Sequence, residues 1–315
     1  MLPPIMGRRD SRADFIDDDP FKNIQSSRPK VHRVHVRQSN DGTIHFDTSN
    51  PNPLGSVMAQ MFGGTQSTKA KHHSGNLWHF SDEEKRHLLW ATGAFTLALG
   101  FMYASGLRGL LAYGPASWGA NLLIAMPMML IAIGPAFVLH EIGHKIVAKH
   151  YGCWAEFRAD PKGLKFGMGL AFLLGFLFMA PGAVMVAGLV TRRQNGHIAV
   201  AGPLVNLSLF LIGIPLAAIT LGLTNALDAP DTILMDGALN WKAMLVFIWT
   251  YWLQANLILG LFNMLPFGPL DGNKVKDWNE SVFYIVIAIF AIPIITQFMG
   301  YWNINDFLIA ISSWI

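Results

Sequence analysis

The sequence predicts an all-α polytopic membrane protein: a helix bundle of five to six spans, with a membrane-associated β-like hairpin and a soluble N-terminal region. Three observations predict it. The 315-residue chain is 52% hydrophobic and 14% charged, with a mean hydropathy of +0.36, whereas an ordinary soluble domain is ~25% charged. Beyond Leu88 the apolar residues gather into runs of the ~20 residues that a bilayer crossing needs. Residues 1–86, in contrast, are polar and rich in Ser, Asn, Asp, Gly and His. The expected organisation is a polar cytoplasmic region over 1–86 and a membrane-embedded domain over 87–315.

In the N-terminal region, Val31-His-Arg-Val-His-Val36 alternates, Asn40-Asp41-Gly42 turns and Thr43-Ile-His-Phe46 alternates again, which predicts a hairpin. Asn50 to Gly75 has the composition of a flexible linker. His32, His35, His45, His72 and His73 lack accompanying cysteines and compact spacing, so they do not read as a metal motif. Met1 to Arg9 is polar with no apolar core behind it, unlike a cleaved signal peptide. Cys153 is the only cysteine, which leaves no intramolecular disulfide and no thiolate cluster.

Five runs are long enough to span: Leu88 to about Leu111, Asn121 to about His150, Ile198 to Leu221, Trp241 to about Leu265 and Val282 to Met299. Phe307 to Ile315 is too short to cross alone. Gly163 to Val190 is apolar but interrupted by Gly163, Gly167, Gly169, Gly175, Pro181, Gly182 and Gly188. It reads as a hairpin or re-entrant element, which membrane depth tolerates only under protein cover or beside a wet cavity. The other reading is a sixth, irregular helix.

The net charge of +3 and pI near 9 read as orientation signals and not as a nucleic-acid footprint. Lys69, Lys71, Lys85 and Arg86 precede the first span. Lys145, Lys149, Arg158, Lys162, Lys165, Arg192 and Arg193 follow the second, and Lys274 and Lys276 follow the fourth. The opposite loops hold little beyond Arg108 and Lys242, with Asp228, Asp231 and Asp236. Positive-inside bias then puts the N-terminus and the ends of the second and fourth spans on the cytoplasmic side, in a multi-pass protein of the cell membrane.

The second span ends in His140-Glu-Ile-Gly-His144. At ~100° per residue, His140 and His144 lie within about 40° of each other on one helix face. Two imidazoles one turn apart can hold a single zinc ion, and Glu141 lies where it can take a proton from metal-bound water. A carboxylate and two imidazoles at membrane depth are costly unless paired or metal-bound, which sets this match apart from a chance motif on a soluble surface helix.

A catalytic zinc takes three protein ligands and keeps one open position. The fourth span ends in Asn263-Met-Leu-Pro-Phe-Gly-Pro-Leu-Asp-Gly272 on the same side. Asp271, just past the proline-broken helix end, is the natural third ligand. An ordinary turn Asp before Gly is its plainer role. His150 is a rival at metzincin spacing, but Val147 stands where that pattern needs a glycine to turn the chain. If the helix continues, His150 lies about 120° around from His144. A later Glu ligand would have to be Glu156 or Glu280, and neither has a convincing helical context.

With these motifs the chain resembles the site-2 protease family of intramembrane zinc metalloproteases. The resemblance covers roughly Leu88 to Val275. It rests on His140-Glu-Ile-Gly-His144, Gly202-Pro-Leu-Val-Asn206 and Asn263-x-x-Pro266 leading into Leu270-Asp271-Gly272. Gly268 stands where the family commonly has a second Pro, which follows at Pro269, and Asn273 where a second Gly is frequent. The resemblance implies Zn2+ held by His140, His144 and Asp271, with Glu141 as catalytic base and later as proton donor to the leaving amine. It implies hydrolysis of a peptide bond within or near a transmembrane helix of another protein. Such a helix must unwind locally first. Asn206 and Asn263 could then hydrogen-bond the extended backbone, and helix–helix bonding in the bundle is their plainer role. The element between Gly163 and Val190 could offer an edge strand.

Two other classes use the same polar residues. A membrane ion transporter would put His140, Glu141 and Asp271 on an ion pathway, but the spans show no inverted repeat. A non-catalytic helix-binding scaffold would have no use for an intact base beside intact ligands. The partners expected are a transmembrane protein substrate and the lipid bilayer, with no nucleic acid.

Overall fold

A computed structural model describes residues 36–38, 44–46 and 76–313, apart from 178, 180, 236 and 237. By its internal contacts the chain divides into Met1–Ala70 and Lys71–Ile315. In the first unit, β1 (Val36–Gln38) pairs antiparallel with β2 (Ile44–Phe46), Val36 opposite Phe46. These strands fall in the region of the expected hairpin, and residues 31–35 of its first alternating run lie outside the described residues. Its turn and the expected linker over 50–75 lie outside the described residues.

The second unit is mostly helical. Helix α1 (Asp82–Tyr103) opens on Ser81, whose hydroxyl accepts the Glu84 amide, and carries Asp82, Glu83 and Glu84 in its first turn. Both features stabilise an N-terminus by filling orphan donors and opposing the helix dipole. The run from Leu88 to Leu111 is not one helix: α1 stops at Tyr103, and α2 (Gly106–His150) starts after Ala104 and Ser105 and kinks at Gly114. Hydropathy carried across that break because both sides are equally apolar.

Then follow β3 (Trp154–Ala159), α3 (Pro161–Leu174) and β4 (Gly182–Ala187). Next are α4 (Arg192–Thr224), a short 3-10 turn (Ala226–Asp228), β5 (Leu234–Met235), β6 (Ala238–Leu239) and α5 (Trp241–Asn263). The chain closes with α6 (Asp271–Trp278), α7 (Glu280–Phe298) and α8 (Ile304–Ser312). Among the described residues four helices, α2, α4, α5 and α7, are long and apolar enough to cross a membrane. They contain the second to fifth predicted spans. Helices of this length and apolarity are those of an integral membrane protein.

Helix α2 is the centre of the bundle, packed against α1, α4 and α5. Small residues make this close approach possible: Ala132 and Ala136 on α2, Ala91 on α1 and Ala255 on α5 are buried together, with Phe95, Phe137 and Phe157 filling between them. The glycine-interrupted stretch resolves into two different structures. Its first half is helix α3, capped by Gly175 in the left-handed conformation (φ 67°) that an L side chain adopts at a cost. Its second half is strand β4, paired antiparallel with β3 from Trp154↔Ala187 to Ala159↔Gly182. The hairpin expected over 163–190 is therefore half correct: one arm lies in that window, and its partner precedes the window. A single irregular helix is excluded.

Candidate metal centre

Helix α2 brings His140 and His144 one above the other, and α4 and α6 close the site around them. His140 Nδ1 lies 2.7 Å from Asn206 Oδ1 on α4, and His144 Nδ1 lies 2.7 Å from the Ile198 carbonyl on the same helix. These partners fix the tautomers. A carbonyl only accepts, so His144 Nδ1 must carry the proton. Asn206 Nδ2 donates to the Ala136 carbonyl at 2.9 Å and to Asn256 Oδ1 at 3.0 Å. The Asn206 oxygen therefore faces His140, whose Nδ1 also donates. Both rings present a bare Nε2 lone pair inward.

Asp271, the first residue of α6, completes the cluster. Its Oδ2 is 3.4 Å from His140 Nε2 and 3.0 Å from His144 Nε2, and the two Nε2 atoms are 3.0 Å apart. Its Oδ1 accepts from Lys274 at 3.4 Å. All three ligand candidates are buried, at 3%, 7% and 7% exposure. Three potential electron-pair donors converge on one point here, an arrangement that suits a bound cation. A tetrahedral zinc with bonds of 2.0–2.1 Å separates its ligands by about 3.3 Å, close to the three separations found. The donor set fits zinc.

Gly202 shapes the same spot. A Cβ there would collide with the Nε2 atoms of both His140 and His144, so glycine lets α4 pass beside the cluster. Glu141 follows His140 on α2, and the Val184 backbone amide of β4 faces its carboxylate. Strand β4 thus borders Glu141. Of the two asparagines read as substrate contacts, Asn206 has both N–H donors committed within the bundle, and Asn263 donates to the Leu259 carbonyl on its own helix at 3.0 Å. His150 is the last residue of α2, edge-on to the Tyr151 ring, and is not part of the cluster.

Sequence reasoning missed three contributors. Asn256, fully buried in α5, could have been found, because an amide inside an apolar span needs a partner. The Ile198 carbonyl and the clearance at Gly202 carry no sequence signal of their own.

An apolar helical bundle enclosing two histidines, an aspartate and a neighbouring glutamate defines a class of protein, the membrane-bound metalloproteases. Comparison with known proteins narrows the class. The profile of peptidase family M50 matches residues 128–277. The protein named "Putative zinc metalloprotease MJ0611", from Methanocaldococcus jannaschii, is 38% identical over 165 residues, which are 52% of this chain and 76% of its own length. "Putative zinc metalloprotease YwhC" of Bacillus subtilis is 31% identical over 163 residues, 49% of this chain and 70% of its own. "Zinc metalloprotease MJ0392" of Methanocaldococcus jannaschii is 28% identical over 156 residues, 49% of this chain and 35% of its own. No solved structure matches significantly. The chain belongs to peptidase family M50, the site-2 protease family. It is a metalloprotease, and zinc is its cofactor.

Proposed function

We propose that the protein hydrolyses a peptide bond within or near a transmembrane helix of another membrane protein. His140, His144 and Asp271 would hold the zinc, and Glu141 would be the catalytic base. The convergence of these three buried side chains within the apolar helix bundle, with both imidazoles hydrogen-bonded from behind, is the observation that carries this reading. Bound zinc supplies Lewis acidity toward the scissile carbonyl and lowers the pKa of water.

The chain's own residues do the rest. Asn206 and the Ile198 carbonyl keep both rings aimed and raise their basicity as ligands. The Glu141 carboxylate accepts the proton of the attacking water and returns it to the leaving amine nitrogen. Cleavage needs an extended substrate, because the carbonyl of a helical peptide bond is already hydrogen-bonded. Among the described residues β4 pairs with β3 alone, so its other edge, beside the Val184 amide that faces Glu141, suits an unwound segment added as a further strand. Asn263, near the end of α5, can hydrogen-bond that segment, and Asn206 serves the metal side. The basic residues around α2, α3 and α6 favour a cytoplasmic N-terminus and a site near the cytoplasmic face of the cell membrane.

The test is proteolysis of a model transmembrane substrate by the reconstituted protein and its Glu141→Gln variant. Loss of a general base costs about 10²- to 10⁴-fold. A drop of that size with zinc content unchanged is expected, and turnover near that of wild type would refute the assignment.

A further inference from the structure

Glu84 lies in the first turn of α1 beside two other acids, yet it alone among them is fully buried. Its carboxylate joins three elements. Oε2 accepts from Lys145 of α2, in an ion pair whose two side chains are each 1% exposed. Oε1 accepts the backbone N–H of Phe157 on β3 at 3.0 Å. Lys145 follows the ligand candidate His144 directly, and it is held further by the His79 carbonyl at 2.8 Å and by the Phe80 ring, 3.4 Å from its centroid.

The strand register carries the consequence across the hairpin. Phe157 stands opposite Val184. Because the Phe157 amide points away from β4, toward Glu84, the two form a non-hydrogen-bonded pair, in which the Val184 amide points away from β3 as well. It points toward Glu141. Glu141 and Lys145 are one turn apart on the same face of α2. The contacts therefore close a ring: Lys145, Glu84, Phe157, Val184, Glu141 and back along α2.

We propose that Glu84 is a positioning residue that fixes the β3–β4 hairpin, and with it the Val184 amide, against Glu141. The role rests on the reading of Glu141 as base. Glu84 reaches neither the metal ligands nor the expected substrate path. It acts by holding β3 at one height on α2, so that β4 meets the base and not a neighbouring turn.

Two double variants of the full chain in lipid vesicles separate this role from plain charge balance. E84Q/K145M strands no charge and keeps an oxygen for the Phe157 amide. E84L/K145M strands no charge and removes that oxygen. With zinc content and thermal midpoint measured alongside, kcat on the model substrate should fall about tenfold or more in E84L/K145M, the scale of small misplacements near a reacting centre. E84Q/K145M should stay within about threefold of wild type, since the acceptor is retained. Equal kcat in the two doubles, beside an inactive Glu141→Gln control, overturns the proposal alone. An active Glu141→Gln control overturns the base assignment and this proposal with it. If E84L/K145M does not fold, E84D decides: it keeps the charge but is one methylene too short to span Lys145 and the Phe157 amide. A lowered kcat supports the role, and wild-type kcat overturns it.

Discussion

The two imidazoles of the centre are held from behind by different kinds of acceptor, and that difference sets what each supporting residue contributes. His144 leans on a backbone carbonyl that no substitution removes, whereas His140 depends on the Asn206 side chain. Asn206→Ala should therefore weaken zinc binding about 10- to 100-fold, the usual cost of removing an outer-shell partner, while leaving a folded protein. Competition with a zinc-chelating dye measures this, and unchanged affinity would show that His140 is oriented by packing alone. Asp271→Ala should go further and abolish stoichiometric zinc, because three ligands fall to two. Full occupancy by elemental analysis would remove Asp271 from the site. The cluster of His140, His144 and Asp271 is legible because spacing on one helix and a broken helix end are both local features of the sequence. The support was less so. Nothing in the sequence sets Glu84 apart from its acidic neighbours Asp82 and Glu83 until α2 and β3 are packed against it.

At the scale of elements, hydropathy located what a bilayer demands and little else. The second to fifth spans follow from runs of apolar residues, and their caps are readable: Thr191 with Gln194 forms a reciprocal capping box at the start of α4. The glycine-interrupted stretch was ambiguous because Gly and Pro weaken a helix without saying where a strand's partner lies. The partner, β3, sits on the near side of α3 and is amphipathic over only six residues, Trp154–Ala159. Val184→Pro removes the amide that faces Glu141 and should also distort β4. Cleavage should fall sharply while zinc stays at one per chain. Retained cleavage would detach β4 from the reaction and leave the metal assignment standing.

For the whole molecule, orientation and chemistry must agree. Single cysteines replacing Lys85, Lys162 and Asp228 should label from two sides, the first two together and Asp228 from the other. The native Cys153 interferes little: it is buried, and burial pushes its thiol pKa up, so less of the reactive thiolate is present at neutral pH. Labelling of all three from one side would overturn the topology. The central claim is that a membrane-embedded zinc centre cuts inside the bilayer. Mass spectrometry of the products from a reconstituted transmembrane substrate tests it most directly. The account predicts new termini within or bordering the apolar segment, formed by the wild type and absent with Glu141→Gln. New termini confined to the substrate's soluble domains, or formed equally by the variant, would contradict it.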